Sequence, residues 1–244
     1  MSGDRPKVVV VMPAYNAAKT LHMTYADLPH EVVDLVIVVD DGSSDETAKI
    51  AHELGLELFI HNRNYGYGAN QKTCYREALK AGADIVVMVH PDYQYDPKII
   101  RYFADLMSAG YYDVMLGTRI RSRREALAGG MPPYKYLANR LTTFCQNIIS
   151  GQNLSEWHTG MRAYTRDVLA HVPFDTFSDD FVFDSEMLFA IIERDYTIGE
   201  ISVPVRYFQE ASSINIRRSI TYGLATVGAA VSFLMRRAFR KTPK

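Results

Sequence analysis

The sequence has little of what marks a disulfide scaffold, a metal cluster or a membrane span. Its two cysteines, Cys74 and Cys145, lie far apart and fit no metal-binding spacing, so we expect two reduced thiols in a cytosolic protein. No stretch reaches the roughly 20 apolar residues that cross a bilayer, and the apolar run at 8–12 is too short for a signal peptide. The formal net charge of -1 argues against nucleic acid as a partner.

Short apolar runs and amphipathic segments alternate along the first half of the chain. Apolar, largely β-branched runs predict strands at 7–12, 34–39, 56–60, 85–89 and 112–116. Residues at helical spacing predict helices at 17–28, 43–54, 71–81 and 99–107, and Ser43 with Glu46 matches a capping box at the second helix. The alternation predicts an α/β fold in which a mostly parallel sheet is flanked by helices.

The second half shows the same kinds of element with a polar stretch between them. Helical spacing predicts helices at 134–149 and 183–192, and a late strand at 198–208 contains Pro204, which is typical of a sheet edge. The basic and glycine-containing segment 121–130 is predicted to be a loop that closes over a ligand. The segment 155–162 is interpreted as a polar insertion.

Polar residues follow four of the predicted strands. They are Pro13 to Tyr15, Asp40 and Asp41, the loop 62–68, and His90 to Asp92. Because ligands bind at the carboxyl ends of strands in an open parallel sheet, we expect these four turns to form one site. Asp92 with Gln94 two residues on has the oxygen donors that a hard cation such as Mg2+ prefers, and such a cation can hold a diphosphate.

The last part of the chain, 211–244, combines an apolar stretch at 220–235 with arginines before and after it. Leu224, Val227, Val231 and Leu234 share one helical face. A helix with an apolar face and basic ends suits the cytoplasmic surface of a membrane. A terminal helix docked on the core, or on a second subunit of a homo-oligomer, fits the same pattern, and periodicity does not separate these readings.

Five segments in this order resemble the inverting nucleotide-sugar glycosyltransferases, and among them the polyprenyl-phosphate sugar transferases that include dolichyl-phosphate mannosyltransferase. They read VVVVMPAYNAAKTL, VVDDGSSDET, HPDYQYDP, GTR at 117–119 and SEWHTGMRAY from Ser155. The resemblance implies a Rossmann-like, type A glycosyltransferase fold over 1–210. Its residues 1–119 would form the nucleotide-sugar half and 120–210 the acceptor half, and 211–244 would be a basic amphipathic helical tail.

The resemblance also implies roles for residues of the donor site. Pro13 and Tyr15 match the turn that binds the nucleotide, and Val39 and Asp41 match the turn that contacts base and ribose. Arg119 matches an arginine that meets phosphate.

A third donor motif, Asp-X-Asp with a glutamine two residues later, reads His90, Pro91, Asp92 and Gln94 here, so a histidine replaces the first aspartate. The resemblance then implies that His90 and Pro91 contact the donor. Asp92 and Gln94 would bind Mg2+ or Mn2+.

The acceptor segment of the family aligns on 155–162, with Glu156 in place of an aspartate and Arg162 placed to hold an acceptor phosphate. A polyprenyl phosphate is already ionised and needs no strong base, whereas a hydroxyl acceptor does. Glu156, Asp184 and Glu186 are the candidate bases in the second case.

The resemblance therefore implies inverting transfer of a sugar from a UDP- or GDP-sugar to a polyprenyl phosphate, and the basic amphipathic tail favours the cytoplasmic face of a membrane as its place. Two alternatives stay open, a soluble sugar or protein acceptor and a catalytically silent sugar-nucleotide binder. A nicotinamide dehydrogenase is rejected, because Gly-X-Gly-X-X-Gly does not follow the first strand.

Overall fold

The computed structural model describes residues 5–120, 133–206 and 216–240. Within these ranges seven strands form one sheet in the order β3-β2-β1-β4-β6-β5-β7. Strand β6 runs antiparallel to its neighbours β4 and β5, and the other pairings are parallel. The strands are β1 Val8–Ala14, β2 Leu35–Asp40, β3 Glu57–Ile60, β4 Ile85–Val89, β5 Val114–Thr118, β6 Met161–Thr165 and β7 Ile198–Ser202.

Helices cover both faces of this sheet, and two short 3-10 turns lie at Pro97–Ile99 and Phe174–Thr176. The helices of the described residues are α1 Leu21–Ala26, α2 Thr47–Glu53, α3 Tyr67–Lys80, α4 Ile100–Ser108, α5 Pro133–Ser150, α6 Arg166–His171, α7 Phe183–Ile192 and α8 Ile216–Arg240.

The core consists of two apolar layers, one on each face of the sheet. Val9 and Val11 of β1 point into the layer that contains side chains of α3, α7 and α8. Val8 and Val10 point into the other layer, with side chains of α1 and α4. Because both faces of the central strands are buried, their sequences are continuous apolar runs and not alternating ones.

The predicted α/β architecture with a mostly parallel sheet is confirmed, and five predicted strands agree with β1 to β5 apart from shifts at their ends. The capping-box prediction is wrong. Helix α2 begins at Thr47, and the hydroxyl of Ser43 instead donates to the Asp40 carboxylate. Asp45 accepts from the Thr47 amide at 3.0 Å, which gives the first turn a different polar partner.

Two further differences concern the second half of the chain. The segment 155–162 is not only a polar insertion, because its last residues enter β6. The late strand ends at Ser202, on the edge of the sheet, and Pro204 follows it. The predicted loop 121–130 and positions 207–208 of the predicted strand lie outside the described residues.

The C-terminal helix α8 packs on the rest of the fold. The rings of Phe233 and Phe189 in α7 lie 4.8 Å apart, and Arg236 pairs with Glu193 at 2.7 Å. In the described ranges no helix is both long and apolar enough to cross a bilayer. The division into 1–210 and 211–244 stays a prediction, and the side chain of Leu224 lies outside the described set.

Candidate active site

The turns that follow β1 and β2 lie side by side at the carboxyl end of the sheet. Pro13 of β1 is the register partner of Val39 of β2, and both are buried. Tyr15, just past β1, exposes 53% of its surface. The Asn70 amide of α3 donates to the Val39 carbonyl at 3.1 Å. The structure therefore brings the predicted nucleotide residues Pro13, Tyr15 and Val39 to one edge.

The carboxylate of Asp41 is occupied by groups of the chain itself. Its Oδ1 lies 2.7 Å from His61 Nδ1 and accepts from the Tyr65 amide at 2.9 Å, and Oδ2 accepts from the Gly66 amide at 3.0 Å. Asp41 is 3% exposed. In this conformation Asp41 fixes the loop after β3 to the end of β2, and the implied contact with a ribose has no exposed carboxylate to make it.

His90 stands where β4 ends and lies between the donor side and the acceptor side of the molecule. Its Nε2 is 3.3 Å from the Tyr67 hydroxyl, and the two rings are 5.3 Å apart. A methyl group on Gly160, from the acceptor segment, would come within 2.9 Å of His90 Cδ2. The donor corner and the acceptor segment therefore meet at Gly160, where only a glycine leaves room for the imidazole.

Pro91, Asp92 and Gln94 complete this corner. The Pro91 carbonyl accepts from the Thr20 hydroxyl at 2.5 Å, and Asp92 Oδ1 accepts from the Gln94 amide at 3.0 Å. Burial raises the pKa of the partly exposed Asp92, and the opposing influence of His90 and Arg119 is smaller. Asp92 is therefore a largely enclosed carboxyl group whose ionised form a nearby cation would favour.

Arg119 follows β5 and is held by Glu156. Its backbone amide donates to Glu156 Oε2 at 2.8 Å, its Nε donates to Oε1 at 2.8 Å, and its Nη2 donates to Oε1 and, at 2.7 Å, to the His158 carbonyl. Burial would raise the pKa of Glu156, but the charge and hydrogen bonds of Arg119 outweigh it, and the pKa is lowered. Glu156 is therefore an ionised partner of Arg119 and a poor proton acceptor.

Arg162 and Asp184 form a second buried pair beneath the site. Arg162 is fully buried, and its guanidinium donates to the carbonyls of Trp157 and Thr159 at 2.8 Å each and lies 3.4 Å from Asp184 Oδ2. The same Asp184 oxygen accepts from Tyr67 at 2.8 Å. Arg162 thus has no surface for an acceptor phosphate in this structure. Its hydrogen bonds to the backbone of Trp157 and Thr159 instead stabilise the acceptor segment.

The last candidate base, Glu186, is engaged as well. It lies in the first turn of α7 and accepts from the Ser178 amide at 2.7 Å. His158 is half-buried, and desolvation lowers its pKa to about 4, with Arg162 and Arg119 acting in the same direction and Glu156 against it. The imidazole is therefore neutral at physiological pH and contacts Thr142 at 3.1 Å.

Sequence reasoning missed four residues that shape this site. Tyr67 was assigned to a loop but begins α3, where its hydroxyl joins His90 to Asp184. Asn139 of α5 donates to Glu156 at 3.0 Å, and the Tyr95 hydroxyl accepts from the Gly160 amide at 2.7 Å. Gly160 could have been noticed, because a glycine in a polar segment signals a close approach of the backbone.

Comparison with known proteins now identifies the family. A profile described as glycosyl transferase family 2 matches residues 9–172, well over half of the chain. The chain belongs to glycosyl transferase family 2. The match runs from β1 through α6 and includes the donor corner, Arg119 and the whole acceptor segment.

Curated relatives of this family 2 protein extend over most of its length. A dolichyl-phosphate hexose transferase from Haloferax volcanii is 28% identical over 201 residues, which cover 82% of each chain. A UDP-N-acetylglucosamine–dolichyl-phosphate N-acetylglucosaminyltransferase from Methanococcus voltae is 26% identical over 217 residues, covering 82% of this chain and 86% of the relative. The resemblance to polyprenyl-phosphate sugar transferases is thereby confirmed at the level of the family.

Solved structures confirm the type A glycosyltransferase fold. Glucosyl-3-phosphoglycerate synthase from Mycobacterium tuberculosis, crystallised with Mn2+, UDP and phosphoglyceric acid, superposes with a TM-score of 0.73 at 16% identity. The superposition covers 94% of this chain and 78% of the synthase.

The residues of the donor corner can supply only one or two of the ligands that a divalent cation needs. Over 5–120, 133–206 and 216–240, no three His, Cys, Asp or Glu side chains gather as a metal site. Asp92 supplies one carboxylate with a raised pKa. One or two protein oxygens, completed by substrate phosphates and water, is the usual coordination of Mg2+ in nucleotide enzymes, so the donors present fit such an ion.

Proposed function

We propose that this family 2 glycosyltransferase moves a sugar, with inversion, from a UDP- or GDP-sugar to a polyprenyl phosphate at the cytoplasmic face of a membrane. One observation carries the acceptor class. All three candidate bases, Glu156, Asp184 and Glu186, are engaged in internal hydrogen bonds. A hydroxyl acceptor needs a base at the attacking oxygen, whereas a phosphate acceptor arrives ionised. The names of the two dolichyl-phosphate relatives support the same choice.

The donor half binds and orients the leaving diphosphate. Pro13, Tyr15 and Val39 form the edge against which the nucleotide lies, and Asp92 with Gln94 would hold Mg2+ or Mn2+. The bound cation supplies positive charge against the leaving diphosphate. Arg119, held in place by Glu156, adds a second positive charge, a fixed guanidinium, on the same side of the leaving diphosphate.

Glu156 acts on this reaction through Arg119. By accepting three of its hydrogen bonds, Glu156 fixes the guanidinium before the substrate arrives. A charge that is already oriented stabilises a developing anion without reorganisation at the moment of reaction. Glu156 is thus a positioning residue, and the acceptor phosphate supplies its own nucleophilic oxygen.

Radiolabelled UDP- and GDP-sugars, offered with a short-chain polyprenyl phosphate or the matching polyprenol, test the proposal. We expect transfer to the phosphate, none to the alcohol, and loss of transfer on chelation of divalent cations. Asp92→Asn should lower turnover by at least about 100-fold, whereas Asp105→Asn on the exposed side of α4 should not change it. Equal transfer to the alcohol, or to a soluble sugar, would refute the acceptor class.

A further inference from the structure

Helix α5 exposes an apolar stripe and buries a polar one, which is the reverse of an ordinary surface helix. Five apolar side chains on one stripe are 60–68% exposed. The opposite stripe, which faces the protein, is polar, and Thr143, Gln146 and Ser150 are at most 4% exposed. A helix of a globular protein normally buries its apolar stripe and exposes its polar one. The exposed stripe, called the outer face below, consists of Tyr134, Leu137, Leu141, Phe144 and Ile148.

The inner, polar face of α5 holds the acceptor segment in place. Asn139 donates to Glu156 at 3.0 Å, and Arg140 donates to the Ser155 carbonyl at 2.7 Å. Asn147 bonds to both backbone groups of Leu154. The inner face thus holds part of the acceptor segment, whereas the outer face remains mostly exposed.

The neighbouring helix α8 repeats the pattern in part. Its Ala230 and Phe233 are buried against the protein, whereas Val227, Val231 and Leu234 are 45–61% exposed. Helices α5 and α8 are in contact, and Arg237 reaches the Ser150 carbonyl at 3.4 Å. Two adjacent helices therefore present exposed apolar rows, which exceeds the scattered apolar side chains of an ordinary surface.

The charge of these two helices indicates which kind of partner covers the outer face. Helix α5 contains Lys135 and Arg140, helix α8 contains five arginines, and neither sequence has an aspartate or glutamate. The chain as a whole has a net charge of -1, so the sequences of these two helices are basic whereas the rest of the chain is acidic, and Arg236 pairs with one of its acidic residues, Glu193. Two copies joined through such helices would place like charges together, whereas an anionic lipid surface attracts them.

We propose that the outer face of α5 is a bilayer-docking surface for anionic lipid, and that docking places the acceptor segment at the level of lipid phosphates. The placement of the acceptor segment rests on the proposed function, since a polyprenyl phosphate carries its reactive group at the level of the lipid phosphates. The docking mode is that of an interfacial helix, with the apolar side chains of the outer face among the acyl chains and exposed basic side chains of α8, such as Arg237, at the headgroups.

Flotation of the full chain with vesicles tests the surface. We expect binding to phosphatidylcholine mixed with phosphatidylglycerol, weaker binding to phosphatidylcholine alone, and weakening by salt. Leu141→Glu and Phe144→Glu should each lower the partition coefficient by about tenfold or more, because each removes a large apolar side chain from the lipid. Ile60→Glu and Tyr111→Glu, at matched exposures of 60% and 68%, should leave binding unchanged.

Two outcomes would overturn the docking surface. One is unchanged vesicle binding by Leu141→Glu and Phe144→Glu, with melting temperatures showing that the variants fold. The other is a wild-type dimer in sedimentation that Leu141→Glu dissociates, without vesicle binding by either protein, because a second copy would then cover the outer face.

A paired activity assay separates this proposal from the proposed function. Leu141→Glu should keep wild-type transfer to a detergent-dispersed short-chain polyprenyl phosphate but lose at least about tenfold on acceptor embedded in anionic vesicles. Absence of transfer by the wild type in detergent would refute the proposed acceptor and leave the docking surface standing. Equal transfer by both proteins on vesicles would refute the docking surface and leave the acceptor standing.

Discussion

In the proposed mechanism, the buried carboxylate of Glu156 acts on the reaction through Arg119 and does not touch substrate. Glu156 has no exposed surface, and Arg119 keeps 18% of its side chain exposed at the end of β5. Removing two charges from water costs free energy, which this pair offsets with three hydrogen bonds from Arg119 and one from Asn139. The pair thereby fixes the guanidinium at the end of β5.

Glu156→Gln should lower both stability and turnover, because Arg119 would lose its anionic partner. The expected loss of unfolding free energy at neutral pH is about 3 kcal/mol. The pKa of Glu156 is lowered in the folded state, so its stabilisation is complete above the unfolded pKa of about 4.3 and declines as pH falls through the folded pKa. Urea unfolding at several pH values should show the gap between wild type and variant closing only in acid.

The matched control is Glu57→Gln, on an exposed position of β3. It should change stability by less than about 0.5 kcal/mol at any of these pH values. A gap for Glu156→Gln that stays constant into acid would show that the carboxylate charge is not what Arg119 requires.

Tyr67 is the second residue that we expect to affect turnover indirectly, through the orientation of the His90 ring. Its hydroxyl donates to Asp184 and lies against His90, so Tyr67→Phe should let the imidazole turn. We expect kcat to fall about tenfold, in line with one lost hydrogen bond of about 1.4 kcal/mol, with a smaller change in donor KM. Steady-state kinetics with varied donor measures both.

Tyr75→Phe provides the comparison for Tyr67→Phe. It removes a buried hydroxyl of the same helix, which donates to Gln71 at 2.7 Å. Its turnover should stay near the wild-type value. Equal losses in the two variants would mean that Tyr67 matters only for packing.

Which residues follow the strands could be predicted from sequence, but what their side chains bond to could not. The apolar runs fixed the positions of Pro13, Val39 and Asp92 at strand ends, because strand length and sheet direction follow from local pattern. The partner of Asp41 is His61, 20 residues away, and Arg162 lies 22 residues before Asp184. Such pairings depend on how strands and helices dock, which residue spacing does not encode.

At the scale of elements, β6 is the departure that sequence pattern could not reveal. It is a five-residue strand that runs antiparallel between β4 and β5. An antiparallel strand of this kind is not part of a strand-helix-strand repeat, so the sequence pattern does not predict it. The position of β6 explains why Gly160 lies next to His90, since the strand begins directly after Gly160 and connects the acceptor segment to the centre of the sheet.

Gly160→Ala should disturb this junction between β4 and β6. A methyl group there would lie 2.9 Å from the His90 ring and 3.4 Å from Tyr95, so the imidazole must move. We expect kcat/KM to fall at least about tenfold, with a stability loss of about 1–3 kcal/mol from overpacking. Gly228→Ala, where no atom lies within 4 Å, should leave activity unchanged. Full activity of Gly160→Ala would show that the position of His90 does not matter.

At the scale of the molecule, the apolar layer on one face of the sheet extends from β1 to the C-terminal helix. Phe233 of α8 is 1% exposed and belongs to the same layer as Val9, Tyr75 and Phe189. Helix α8 therefore combines an inner face that completes the core with an outer face that α5 and α8 expose together. A separable tail would have no residue in this layer.

Phe233→Ala tests whether α8 folds with the catalytic domain as one cooperative unit. Loss of a buried phenyl ring from the core should lower the free energy of unfolding by about 3–5 kcal/mol and keep a single transition in urea, followed by both far-UV circular dichroism and tryptophan fluorescence. Trp157 is a suitable probe, because its ring lies 4.9 Å from that of Phe189. Leu234→Ala, on the exposed face of the same helix, should cost less than about 0.5 kcal/mol. Two separate transitions, or equal effects of the two variants, would instead establish 211–244 as an independent appendage.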